Sequence, residues 1–482
     1  MTSASGPTAS GAAVSVSITV GASSCALAPD FAGTNYEAFA GWGADVSMNA
    51  FQKQAFQASG MQMFRYPGGE PAEWTDLLMT GACTDGSAAN WGSPPYTSLW
   101  TFAQSAGLYS LMLQTNPTTQ YCVTGALQDA SGTHAAALAT DAASHGVRAV
   151  FEVGNEPDIA GSYFGAMADG QSAYIAKFIE HANAIHGAAP GAEVYGPVVC
   201  GLGGNCSFPT SWDSGWLDAF LSQTGNQATG TGKGSADGVS FHVYWHPEWG
   251  YSDLTQANID KYGFAYYWAQ TVMPYVRGII AKHDTRDLPI VVSEISVGNG
   301  IANDTTQTQN MFSVLETLDV IGAFAASGLR SFQWFDANAA GPSDFWMITT
   351  SAARPIFYAF AAWSTMGSQV LDVTSTANPH DVATYATAKA DGSVQVLLIN
   401  KTNSAHDITL AFAGFTPVAK SLAVISVGPA TAGSDLSTSV LYNGAEDPAP
   451  GALPAPANST NSDASPSYSL PAYSLAVLAF GP

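Results

Sequence analysis

Two glutamates, each closing an apolar run, carry the chemistry most readily read from this chain. One lies in Arg148-Ala-Val-Phe-Glu-Val-Gly-Asn-Glu-Pro-Asp158, the other in Leu288-Pro-Ile-Val-Val-Ser-Glu-Ile-Ser-Val-Gly298. Each stands where a strand-like run meets a turn. Two carboxyl groups gathered at strand ends can cleave a glycosidic bond: one protonates the leaving oxygen and the other attacks the anomeric carbon. Glu156 and Glu294 are therefore the catalytic candidates. Asn155 adds an amide able to hold a sugar 2-hydroxyl, a contact that strengthens as the transition state forms.

Something must bring these distant residues together. From residue 30 to 365, short apolar runs alternate with longer helical stretches. The predicted strands are Phe31–Tyr36, Met61–Tyr66, Ser110–Gln114, Ala149–Val153, Glu193–Tyr195, Val239–Val243, Pro289–Ser293 and Ser331–Phe335. Helices are expected between them, for example over Ser172–His186 and Thr308–Ala326. Eight alternations predict an α/β fold, a (β/α)8 TIM barrel whose site lies at the C-terminal strand ends. Glu156 and Glu294 fall there, on the fourth and seventh strands.

The texture changes after Met366. Residues 366–482 are rich in Val, Ile, Thr and Ser in short runs such as Val382–Thr387, Gln395–Asn400, Ser421–Val427 and Tyr473–Phe480. This predicts a C-terminal antiparallel β-sandwich, with Asn443–Ser467 as a loop inside it. Within residues 1–29, the alternating run Ala13–Val20 has no place in a barrel and is expected to join the sandwich.

Composition narrows the partners. The formal net charge is −23 with only 14 Lys and Arg, which weighs against nucleic acid and anionic membranes. Charged residues make up 11%, against about 25% in ordinary soluble chains. Polarity comes from small uncharged residues, which suits a secreted or periplasmic protein. Met1-Thr-Ser-Ala-Ser-Gly shows no signal peptide, so such a signal is expected to have been removed. Of the five cysteines, Cys200 and Cys206 could close a small loop and Cys83 could pair with Cys122. No metal-ligand spacing is present, so neither metal nor other cofactor is expected.

Gly154-Asn-Glu-Pro-Asp158 resembles the acid/base strand of clan A glycoside hydrolases, most closely family 79, the β-glucuronidases and heparanases. Companions follow in order: Tyr36-Glu37, Arg65-Tyr-Pro-Gly-Gly69, Ser240-Phe-His-Val-Tyr244 and Val396-Leu-Leu-Ile-Asn-Lys401. The resemblance implies Glu156 as acid/base and Glu294 as nucleophile, with Arg65 and Tyr244 hydrogen-bonded to Glu294. It implies sugar contacts from Tyr36 and Glu37, a supporting His242, and Trp334 as a platform beneath the sugar. One departure matters. Family 79 glucuronidases grip the uronate with a Tyr shortly after the nucleophile and another after the eighth strand. Here the first position is Asn299, and Asp336-Ala-Asn-Ala-Ala-Gly341 holds no Tyr.

The expected function is thus retaining β-glycoside hydrolysis, β-glucuronidase-like by the resemblance. The alternative is a neutral-sugar β-glycosidase or endo-glycanase of clan A. A non-catalytic carbohydrate-binding protein is the third reading.

Overall fold

The computed structural model describes residues 13–35, 49–69, 72, 96–118, 131–159, 162–201, 207–208, 215–230, 234–245, 263–297, 309–337, 346–417, 422–459 and 465–482. The first strand, β1 (Val14–Ala26), is followed by eight parallel strands that close on themselves. These are β2 (Ala32–Asn35), β3 (Met63–Tyr66), β4 (Ser110–Thr115), β5 (Ala149–Val153), β6 (Glu193–Cys200), β8 (Gly238–Trp245), β9 (Ile290–Val297) and β10 (Ser331–Trp334). A two-residue strand, β7 (Ser207–Phe208), pairs outside the ring with β8, and β6 pairs with β8 to complete closure. All eight predicted barrel strands are present, with ends shifted by a few residues.

Alternation sorts the side chains. Met63, Met112, Val150, Tyr195 and Val291 point inward and form a core layer inside the barrel. Their outward neighbours, including Phe64, Leu111, Phe151, Val239 and Phe332, pack beneath the helices. Period two then forces Arg65, Gln114 and Glu152, each two residues further along its strand, to point inward at the upper end. A polar layer thus sits on an apolar floor, at the end where barrel sites are built.

The helices are held in place locally. Asn49 caps Ala50–Ser59 through a reciprocal pair of bonds with Gln52, and Gly60 ends that helix at φ +70°. Asn310 caps Met311–Ala326 by accepting from the Ser313 backbone N–H. This second helix is buried along nearly its whole length because it lies between barrel and sheet.

The C-terminal part is one hydrogen-bonded sheet of eleven strands folded around its own core. Its strands are β1, β11 (Gln369–Ser375), β12 (Val382–Ala388), β13 (Val394–Asn400), β14 (His406–Ala413), β15 (Leu422–Pro429), β16 (Val440–Tyr442), β17 (Ala445–Glu446), β18 (Ala457–Ser459), β19 (Ser467–Leu470) and β20 (Ser474–Phe480). The expected antiparallel sheet domain is present, and within it β1 pairs antiparallel with β11 and parallel with β14. One expectation needs correction. The stretch expected as a loop carries β17, β18 and a short turn of 3-10 helix at Pro450–Ala452. Strand β13 is buried on both faces. Val394, Val396 and Leu398 fill the sheet's own core, and Leu397 and Ile399 join the barrel-side core.

Candidate active site

Arg65 is the hub of the upper layer. It is fully buried, and its guanidinium spends its donors on four oxygens. Nε donates to Glu152 Oε2 at 2.6 Å, and Nη1 to Glu294 Oε1 at 2.6 Å and Asn35 Oδ1 at 2.9 Å. Nη2 donates to Asn155 Oδ1 at 2.9 Å. The planar fork of arginine can satisfy acceptors from three strands at once; a lysine ammonium cannot.

Glu294 reaches this cluster through a break in alternation. On β9, Val291 points inward, so strict period two would send Glu294 toward the helices. The pairings with β8 and β10 both slip by one residue around Ser293. This bulge turns Glu294 and Ser296 into the barrel and leaves Ile295 and Val297 in the outer core. Tyr244 then donates to Glu294 Oε2 at 2.6 Å, opposite the Arg65 contact on Oε1. His242 Nδ1 stands 3.4 Å from the same Oε2 and 2.7 Å from Glu156 Oε1.

The imidazole's proton can be placed by elimination. Its Nε2 lies 3.4 Å from Arg65 Nη2, which can only donate, so Nε2 carries the lone pair and Nδ1 the hydrogen. Burial is the main reason the His242 pKa falls to about 4; the Glu294 charge opposes this and the Arg65 charge adds to it. His242 is therefore a neutral donor shared between the two candidate carboxyls.

Glu156 occupies a strained turn. Its φ is +42°, a conformation that non-glycine residues seldom adopt, and its N–H donates to Val198 O at 2.9 Å. Val198 is itself at φ +59°, unfavourable for a β-branched side chain. Strain of this kind costs on the order of 1–3 kcal/mol per residue and persists where the surroundings over-determine it. Asn155 is fixed because Arg65 and Gln114 both donate to its Oδ1, which leaves its Nδ2 hydrogens for a ligand hydroxyl. Gln114 also accepts from Gly68 N–H and donates to Gly154 O, tying three strand ends together.

Glu156, His242 and Glu294 each bring one polar atom within 4.8 Å of the others. A retaining pair of carboxyls stands about 5–5.5 Å apart, whereas an inverting pair needs about 6.5–9.5 Å for an intervening water. The spacing therefore suits direct attack by one carboxylate. The same trio has a spacing that a cation could use. A protonated Nδ1 cannot be a ligand, however, and the Arg65 charge lies alongside.

Two further acids stand nearby. Asp158 Oδ1 accepts from the Cys200 N–H at 2.9 Å, while its Oδ2 is buried without a hydrogen-bond partner. Burial pushes its pKa to about 8, and the Glu156 charge adds to the rise. The folded state then holds this proton after the unfolded chain has released it. Its stabilising effect is complete below about pH 4 and is lost as the pH rises toward 8. Asp158→Asn keeps the acceptor and removes the titration. We expect its melting temperature relative to the parent to rise between pH 5 and pH 8. A difference unchanged across that range would contradict the assignment. Asp336 is fully buried, and burial likewise raises it, to about 8, against the pull of Arg354.

The structure brings together Asn155, Glu156, Arg65, His242, Tyr244 and Glu294. Tyr36, Glu37 and Asn299 lie outside the described residues. Trp334 requires correction as a platform. It is fully buried and faces the helical layer, where it packs edge-on against Phe360. Gln333 points inward on the same strand, so parity assigns the inward face to Phe335, which is part-exposed and packs against Tyr244. Trp245 is likewise core, stacked on Phe264. Asn35 and Gln114 are site-building residues that sequence reasoning missed; each shares the inward parity of its strand. Cys200 is disulfide-bonded to a residue outside the described set.

No family model matches the chain, and no curated protein matches it. Solved structures do. CelM2, a bifunctional glucanase-xylanase protein from a metagenome library, superposes with a TM-score of 0.68 at 16% identity, covering 97% of this chain and 99% of its own. A Paenibacillus polymyxa xyloglucanase from glycoside hydrolase family 44 gives 0.68 at 14% identity, covering 98% and 100%. The family 51 arabinofuranosidase from Xanthomonas axonopodis pv. citri gives 0.70 at 16%, covering 97% and 99%. At such identities the likeness establishes the architecture, a barrel with an appended β-domain along essentially the whole chain.

Proposed function

We propose that this chain is a retaining glycoside hydrolase acting on neutral sugars, with Glu294 as nucleophile and Glu156 as acid/base. The observation that carries the reading is the approach of their oxygens to within 4.8 Å around a shared His242. In the first step Glu156 gives its proton to the glycosidic oxygen as a Glu294 oxygen bonds to the anomeric carbon. The leaving alcohol departs and a glycosyl ester remains. In the second step Glu156 takes a proton from water, whose oxygen displaces Glu294 and restores both groups. The Asn155 Nδ2 hydrogens are placed to hold the 2-hydroxyl.

The preference for a neutral sugar rests on charge. Glu152 and Glu294 both hold Arg65, whose donors are fully engaged at the strand ends. A uronate carboxylate would meet the Glu294 carboxylate and would find no unengaged cation at the strand ends among the described residues; Asp158 and Asp336, kept protonated by burial, supply no positive charge either. The glucuronidase reading that comes with the family 79 resemblance therefore has less support. Glucanase, xylanase and arabinofuranosidase activities named for the structural neighbours agree with the neutral reading.

Hydrolysis of aryl β-glucoside, xyloside, galactoside and glucuronide, beside an aryl α-L-arabinofuranoside, tests this. We expect turnover of at least one neutral glycoside to exceed that of the glucuronide; the reverse order would overturn the neutral assignment. Glu156→Gln should slow alkyl glycosides or oligosaccharides by about 100-fold or more, the usual worth of general acid catalysis. Activated aryl glycosides, which leave without a proton, should lose much less in their first step. Equal losses would remove Glu156 from the role of donor.

A further inference from the structure

Away from the strand ends, a cavity of about 360 Å³ opens at the seam between barrel and sheet. Its barrel wall comes from the segment Gly263–Val272 and the helix Met311–Ala326, and its other wall from β11, β12 and the turn between them. Small side chains create the space: Ala265, Ala269, Ala323 and Ala326 line the barrel side. Residues Trp268–Val272 form a single π-helical turn, which brings the exposed Gln270 to the wall. Single π-helical turns within helices are frequent at functional sites.

The chemistry of the cavity excludes most ligands. Its floor holds a closed ionic group: Lys401 Nζ lies 2.6 Å from Asp319 Oδ2 and 3.7 Å from Glu316, and Tyr385 donates to Asp319 Oδ1 at 2.7 Å. An entering ion would find each counter-charge already paired. A purely apolar ligand would desolvate the exposed Gln270. The rim offers something else. Tyr266, 50% exposed, stands with its ring 5.3 Å from that of His380. A flat aromatic face beside uncharged polar groups fits a ring that is apolar on its faces and hydroxylated at its edge. The volume lies at the low end for ligand sites and suits a unit or two of a glycan.

We propose that this seam is a second carbohydrate-binding site, which holds a neutral glycan outside the catalytic cleft with Tyr266 as its stacking platform. The inference rests on the neutral-glycan reading above for its ligand class, and its test does not need turnover. Glu294→Ala protein is titrated with xylo- and cello-oligosaccharides by calorimetry, with and without Tyr266→Ala. Two sites are expected in the first protein. In the second, the seam site should weaken by roughly tenfold, the worth of one stacked aromatic. In the otherwise unaltered enzyme, Tyr266→Ala should lower the rate on polysaccharide severalfold and leave the rate on a small aryl glycoside unchanged. A single site whose affinity ignores Tyr266 would overturn the inference. Absence of aryl glycoside hydrolysis would instead defeat the catalytic reading, and the stoichiometry would still decide the seam.

Discussion

Glu294→Ala is expected to lower turnover by about 10⁴-fold or more, the scale on which enzymes lose rate when a covalent nucleophile is removed. The same variant offers a sharper readout than loss of rate. Removing the carboxylate leaves a space beneath the anomeric carbon, flanked by Arg65 and Tyr244. Added azide can occupy it and attack an activated aryl glycoside once, so the glycosyl azide should have inverted configuration. In Glu156→Ala, azide instead takes the place of the activated water and attacks the glycosyl ester. Two displacements then give a product of retained configuration. Opposite stereochemistry in the two variants, read by NMR, would fix both roles independently of sugar identity. Retained configuration from Glu294→Ala would exclude it as nucleophile. Unimpaired turnover in both variants would place the chemistry on other residues.

The sequence made the barrel legible because each parallel strand is buried on both faces and so reads as a short apolar run. Glu156 and Glu294 stand out where those runs end. Other features depend on events that composition does not record. The inward aim of Glu294 needs the slip at Ser293, and nothing in Val-Val-Ser-Glu-Ile marks that slip before pairing partners are known. Trp334 illustrates the opposite case. Counting alternate residues from Gln333 selects Phe335, but a large aromatic at a strand end is an easier choice than a parity argument. Asn35 and Gln114 share the inward parity of their strands, but neutral amides show their importance only through what they bond: Arg65 in one case, Gly68, Gly154 and Asn155 in the other. Strand β1 pairs with β11 and β14, and its parallel pairing with β14 depends on a topology that no local pattern encodes.

Arg65→Met is expected to cost about 3–5 kcal/mol of folding stability, the usual penalty for leaving buried charge without its partner. The reason lies in what would remain. Glu152 is wholly buried, its Oε1 already lacks a hydrogen-bond partner, and Arg65 supplies the bond to Oε2. Glu294 would lose one of its donors, and the Oδ1 atoms of Asn35 and Asn155 would each lose one. The change should appear as a lower midpoint in urea unfolding with little change in slope. A loss below about 1 kcal/mol would mean that Arg65 does not hold the layer together. Adding Glu152→Met should recover part of the loss, because replacing both members of a buried ion pair by apolar groups is often close to neutral. Turnover should not recover with it. The double variant would still lack the donor on Glu294 Oε1 and the shorter of the two bonds that fix Asn155, so fold and chemistry would separate. Recovery of both together would show that Arg65 serves catalysis only by supporting the barrel. Stability restored without turnover would place it in the reaction itself, as the group that orients the nucleophile and the amide beside the acid.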